Sequence, residues 1–296
     1  MGKERVINNP LFRPPAEADS LILQVDQGCP YNRCTFCGMY ADLKYRRRSH
    51  DEIRMLIEAE ACQNRHTRRV FLADGDVISR PFPDLKAILL ELERNFPDLA
   101  RVNAYATGSS IIAKSDAELR ELRSLKLHTL YMGLESGDNE ILRRVKKKES
   151  AATMVDATCR AQSCRLRLSV MILLGLGGRE RTREHAEATA EALNRMQPRL
   201  LSALRVIPVP GTELYDDTRA GRFLQLTEMG IIEELLRIVE LLELKNTVFR
   251  ADHSSNIVPL EGRFPRDKEL LRTQLATLMD SGWLDSRSPG PAPRWL

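Results

Sequence analysis

Apolar residues in this chain follow two alternating rhythms. Short, nearly unbroken apolar runs read as buried strands. They fall at Leu21-Ile22-Leu23-Gln24-Val25, Val70-Phe71-Leu72-Ala73, Arg101-Val102-Asn103-Ala104-Tyr105, Thr129 to Leu134, Leu166 to Leu174 and Leu200 to Val206. Between them the apolar positions spread to helical spacing, over 51–64, 83–95, 116–125, 138–146 with 151–163, and 182–195. Two helix starts carry capping boxes, Ser49 with Glu52 and Ser115 with Glu118. After the sixth strand, Ile232, Leu235, Leu236, Val239 and Leu242 form one stripe at helical spacing. The pattern then weakens. Residues 247–262 read as loop with room for one strand, and 266–280 as one more helix.

Six strand–helix units in series predict an α/β fold with a parallel sheet and right-handed crossovers. Periodicity leaves open whether the sheet is doubly wound or a partly closed barrel. In either case chemistry belongs at the C-terminal strand ends. The unusual residues sit there in turn: Cys29 to Cys37, Asp74-Gly75-Asp76, Tyr105-Ala106-Thr107-Gly108, Glu135-Ser136-Gly137, Gly175-Leu176-Gly177-Gly178 and Pro208 to Thr212.

The first of these segments, Cys29-Pro30-Tyr31-Asn32-Arg33-Cys34-Thr35-Phe36-Cys37, changes the picture most. Cysteine thiolates are the usual ligands of iron–sulfur clusters. Three on one loop can hold three irons of a cubane and leave the fourth open to a substrate. A structural zinc site wants four protein ligands, and none stands beside these three; His50 opens the next helix. The remaining cysteines, Cys62, Cys159 and Cys164, are scattered. That usage suits a reducing cytoplasm better than a disulfide scaffold. The start of the chain has no apolar stretch to act as a signal peptide. No apolar run is long enough to span a membrane. A net charge of +4 is too mild to call for nucleic acid. Arg46-Arg47-Arg48 reads either as an anion or donor-docking patch or as a solvated loop. Cys159, Cys164, His128 and His185 read as packing residues rather than ligands.

With these segments in order, the chain resembles the radical S-adenosylmethionine (SAM) superfamily over about 20–215. Its motifs are similar to those of elongator, methylthiotransferase and coproporphyrinogen-oxidase-like cores. The family spaces its cysteines by three residues and then two; here the spacing is four and then two, so one extra residue must bulge. Phe36 matches the aromatic that the family sets near the SAM adenine. Ala73-Asp74-Gly75-Asp76 stands where family members hold the SAM ammonium with backbone carbonyls and an acid. Gly133-Leu134-Glu135-Ser136-Gly137, with Ile141-Leu142 and Lys146-Lys147, is similar to the elongator and methylthiotransferase segment, which puts Glu135 beside SAM. Gly175 to Gly178 resembles the strand end that packs on adenine and ribose, and Val206 to Thr212 the Pro-Gly-Thr end of the sixth strand.

The resemblance implies a partial (β/α)6 TIM-like barrel over 20–215. It would follow an N-terminal arm at 1–19 and precede a helical and loop extension at 216–285 and a flexible, proline-containing tail at 286–296. It implies that Cys29, Cys34 and Cys37 bind a [4Fe-4S] cluster whose open iron takes SAM, with Phe36, Asp74, Gly75, Asp76, Tyr105, Glu135, Ser136 and Gly175 around the cofactor. Reductive cleavage would yield a 5′-deoxyadenosyl radical that abstracts hydrogen from a substrate. The implied partners are a small-molecule substrate or a short peptide, and a one-electron donor such as a flavodoxin or ferredoxin. Two alternatives stay open: a cluster- or metal-based sensor on the same scaffold, and an enzyme that cleaves a different sulfonium bond.

Overall fold

The computed structural model describes residues 12–285. The proline-containing tail from Ser286 and most of the N-terminal arm lie outside them. Strand β1 (Leu21–Gln24) leads through β2 (Asp26–Gln27) into the cysteine loop, and β3 (Arg46–Arg47) returns antiparallel to β2. The loop therefore leaves and re-enters the fold at one pinch. There follow α1 (His50–Asn64), β4 (Arg69–Ala73), α2 (Phe82–Asn95), β5 (Arg101–Tyr105), α3 (Gly108–Ile112), α4 (Asp116–Ser124), β6 (Leu127–Glu135), α5 (Asn139–Arg144) and α6 (Ala151–Ser163). The chain continues with β7 (Arg167–Leu174), α7 (Thr182–Met196), β8 (Leu200–Arg205), α8 (Glu213–Arg219), α9 (Glu228–Leu241), β9 (Thr247–Ala251), β10 (Leu260–Phe264) and α10 (Lys268–Asp280).

The six expected strands are β1, β4, β5, β6, β7 and β8, all parallel and neighbours in that order. They form the partial TIM-like barrel. Both capping boxes close as read: Ser49 with Glu52, and Ser115 with Glu118. The stripe of α9 is buried at Ile232, Leu235, Val239 and Leu242. The stretch 247–262 departs from the sequence reading. There β9 adds parallel to β8 and β10 antiparallel to β9, giving eight strands. Strand β9 alternates buried with half-buried residues, so no continuous apolar run announces it.

Strand alternation sorts side chains into two sets. Leu23, Val70, Leu72, Val102, Leu130, Val170, Ile172 and Leu201 join the main core under the helices. Ile22, Phe71, Ala73, Tyr105, Tyr131 and Leu200 form a separate cluster on the other, lumen face. Ser169 lies in register with Tyr131 and Leu200, so it faces the lumen too. The floor of the lumen is filled from the N-terminal arm. Glu17 accepts from Ser20 Oγ at 2.6 Å, from Asn103 Nδ2 at 2.8 Å and from the Tyr131 hydroxyl.

Candidate active site

The cysteine loop is tied to several strand ends. Gly28 turns the chain at φ +79°, and its N–H donates to Asp74 Oδ2 at 3.2 Å. Gly75 N–H donates back to the Gly28 carbonyl at 3.2 Å. A side chain at Gly75 would put its Cβ 2.5 Å from Cys29 Cβ, so the bare backbone after β4 makes the room that Cys29 occupies. Further along, Thr35 N–H donates to Val145 O at 3.0 Å, and Leu214 N–H donates to Thr35 O at 2.9 Å. Gly38 lies against Val209 and Thr212. The extra residue of the cysteine spacing is absorbed where Asn32 takes a left-handed φ of 42° and donates from Nδ2 to Tyr40 O at 2.7 Å. Asparagine is among the residues that tolerate that region.

Cys29, Cys34 and Cys37 are reduced and half-buried. Burial, opposed by Lys147 and reinforced by Glu135 and the other two cysteines, pushes the Cys34 thiol up to about 12. Burial also raises Cys37, against a hydrogen bond from the Met39 backbone. Such thiols stay neutral until a metal displaces the proton. Lys147 Nζ donates to Glu135 Oε1 at 3.1 Å, an ion pair whose side chains are only 13% and 11% exposed. Burial alone would depress that lysine, but Glu135 and Cys34 outweigh it and raise it. A cationic group thus stands by the thiols, where a cluster with three thiolates would bring negative charge.

The structure brings most of the expected residues to this mouth. Glu135 sits at φ +62°, after a break in the β6–β7 register, and folds its carboxylate over Gly133. Asp74, at φ +80°, accepts from Gln24 Nε2 at 2.7 Å and from the Tyr40 hydroxyl at 3.3 Å. Two non-glycine residues in the left-handed region, both at strand ends, are strain of the kind that gathers at functional sites. Phe36 packs with Ile141, Val145, Leu176, Val206 and Leu214, so the cysteine loop joins the ends of β7 and β8. Tyr105 lies on the lumen face, edge-on to Phe71 at a 5.0 Å centroid distance. Gly175, at φ +79°, ends β7 with its N–H on Glu234 Oε1 at 2.6 Å.

Two expected residues point elsewhere. The Asp76 carboxylate is taken by Thr107, from Oγ1 at 2.7 Å and from N–H at 3.3 Å. Ser136 is fully buried, with Oγ 2.8 Å from His185 Nδ1. Sequence reading also passed over several supporting groups. Arg80 and Asp26 form a buried ion pair at 2.7 Å under the β2–β3 pinch, and Arg80 also donates to Arg48 O at 2.7 Å. Glu149 receives the Gly108 N–H at 3.0 Å and both the N–H and the hydroxyl of Ser109 in the first turn of α3. Arg46, from the arginine run, pairs with Glu52 at 2.8 Å. Cys159 and Cys164 lie on α6 and at its C-cap.

The donor set fits an iron–sulfur cluster. Among the described residues, no three His, Cys, Asp or Glu side chains converge on one metal ion. A cubane does not require that, because each thiolate ligates a different iron. No helix among the described residues is long and apolar enough to cross a membrane.

A parallel partial barrel with a three-thiol loop at its mouth defines a class of enzyme. The superfamily model for radical SAM proteins matches residues 23–193, more than half of the 296, and the chain belongs to the radical SAM superfamily. It is 22% identical over 203 residues to the uncharacterized methyltransferase PH0819 of Pyrococcus horikoshii, an alignment that takes in 69% of this chain and 43% of that protein. The chain thus spans less than half the length of that curated relative. Among solved structures it resembles methylornithine synthase, with a TM-score of 0.53 at 17% identity over 88% of this chain and 81% of that one. It also resembles coproporphyrinogen III oxidase of Escherichia coli, with a TM-score of 0.57 at 16% identity over 75% and 52% of the two chains. A third likeness, to Elp3 of Methanocaldococcus infernus, has a TM-score of 0.52 at 17% identity over 79% and 59%. At such identities the structural likenesses speak for the fold.

Proposed function

We propose that Cys29, Cys34 and Cys37 hold a [4Fe-4S] cluster and that the mouth around them binds SAM. The observation that carries this reading is the seating of the loop: Cys29 occupies the space left by Gly75, with the Glu135–Lys147 ion pair beside Cys34. When bound, cluster and SAM supply one-electron cleavage of a carbon–sulfur bond and a 5′-deoxyadenosyl radical that takes hydrogen from substrate. The chain's own residues orient and enclose. Glu135, held by Lys147, offers a carboxylate to the cationic end of SAM. Phe36 and the Gly175 turn give apolar and close-packed surfaces for the adenosine, with Asp74, Gly75 and Tyr105 completing the surround, while Asp76 and Ser136, bonded to Thr107 and beside His185, support it from behind. The apolar cluster around Phe36 limits water near the reacting atoms. On this reading the substrate is a small molecule or a short peptide, and a flavodoxin- or ferredoxin-type donor would supply the electron.

The test is anaerobic reconstitution with iron and sulfide, followed by dithionite and SAM. The expected products are 5′-deoxyadenosine and methionine, and Cys34→Ala should abolish both. Methylthioadenosine in their place would mean that another sulfonium bond is cleaved. A fully loaded cluster that leaves SAM intact would favour a sensor.

A further inference from the structure

Behind the mouth runs a polar chain buried between α7, α9 and the ends of β6 and β7. Glu234, on α9, is 3% exposed. Its Oε1 accepts the Gly175 N–H at 2.6 Å and its Oε2 accepts the Thr182 hydroxyl at 2.6 Å. Oε1 also lies 3.6 Å from Nε2 of His185, a ring with no exposed surface. Nε2 has no hydrogen-bond partner, and the Glu234 carboxylate is the charged group beside it. On its other side, His185 Nδ1 lies 2.8 Å from Ser136 Oγ, which accepts the Asp138 N–H at 3.0 Å. One tautomer satisfies this set. The Ser136 hydroxyl donates to Nδ1, and the ring proton on Nε2 points to Glu234.

Burying a histidine and a glutamate in apolar surroundings costs more than an apolar pair of the same volume. Packing does not call for them. Gly137 already seats β6 on α7, where a Cβ would come 2.1 Å from Ala188 O, and Ile231 already seats α9 on Gly175, 2.7 Å from where its Cβ would lie. What the polar chain adds is a connection between Ser136 and Gly175, two positions on different loops of the mouth.

We infer that His185 and Glu234 are positioning residues that lock the Glu135-Ser136-Gly137 loop and the Gly175 turn into one unit for holding the adenosyl ligand. The inference rests on the proposed SAM site. It makes α9, outside the stretch that carries the family motifs, part of that site's support. In Glu234→Gln the amide oxygen still accepts the Gly175 N–H and the –NH2 can donate to Thr182 Oγ1, so what the variant removes is the carboxylate charge that faces His185 Nε2.

The experiment uses cluster-loaded, oxidised protein and S-adenosylhomocysteine, which occupies the site without being cleaved. Calorimetry gives its affinity, and hydrogen exchange by mass spectrometry reports both loops. Glu234→Gln should weaken S-adenosylhomocysteine about tenfold. It should also speed exchange at 136–138, which Glu234 does not touch, as well as at Gly175. Ser136→Ala should weaken the ligand similarly, and the double variant should lose far less than the product of the two. Thr182→Val, which removes one anchor of Glu234 at a half-buried position, should show the same pattern more weakly and serves if Glu234→Gln does not fold. Affinity within twofold of wild type, or faster exchange confined to Gly175, would overturn the inference while leaving the SAM site standing. Wild-type protein that binds no S-adenosylhomocysteine would overturn both.

Discussion

Asp76 shows how one side chain can be well bonded and still costly. Thr107 gives it two hydrogen bonds. Burial outweighs them and, with Glu149 adding repulsion, pushes the carboxyl up to about 6. Its unfolded value is about 3.9. A carboxyl raised on folding supports the fold when protonated; that support is complete below about pH 4 and is lost as pH rises through about 6. Two pKa units correspond to roughly 3 kcal/mol, an upper figure. Asp76→Asn keeps an acceptor for Thr107 and removes the titration. It should therefore melt higher than wild type at pH 8, with the gap closing at pH 4. Equal melting temperatures at pH 8 would show that Asp76 is not strained there. The Glu135–Lys147 pair is the contrasting case, since each buried charge there has its partner at 3.1 Å.

At the scale of elements, the pinch formed by β2 and β3 decides where the cysteine loop starts and stops. Beneath it lie Arg80 and Asp26, each with a side chain 3% exposed. Removing one member of a buried pair strands the other, at a cost of about 3–5 kcal/mol. Arg80→Met should lower the unfolding free energy read from a urea titration by that amount and reduce iron uptake per chain, and adding Asp26→Asn should restore part of the stability. An unchanged midpoint would mean that the pinch holds without the pair. Neither residue was legible in the sequence, because an ion pair between positions 26 and 80 leaves no spacing to read. What was legible is local. Apolar runs gave the six parallel strands, and Ser-x-x-Glu gave two helix starts. The three cysteines and the glycine-bearing strand ends placed the mouth. Of Lys146, Lys147 and Lys148, only the folded chain shows which turns inward: Lys147 joins Glu135, while Lys146 pairs with Glu213 at the surface. Helix α3 also escaped notice, since five residues beginning Gly-Ser-Ser resemble a loop.

For the whole molecule, the segment after the sixth strand is built into the barrel rather than hung from it. Helix α9 packs on α7 and α10, and β9 extends the sheet beside β8. Ending the chain at residue 226 would bare Gly175, Leu174 and the face of α7, so that fragment should collect in the insoluble fraction while the full chain elutes as a single species. A soluble, cooperatively melting fragment would show that the first six units fold alone. The same arrangement has a consequence in time. Synthesis runs from the N-terminus, so Cys37 is made about 200 residues before Glu234, a lag of roughly 10–40 s at common elongation rates. Through that interval the three thiols are in the cell with no finished mouth around them. On the proposed reading, a cluster seated in the finished mouth would be delivered only after that interval, and until then the thiols stand open to oxygen.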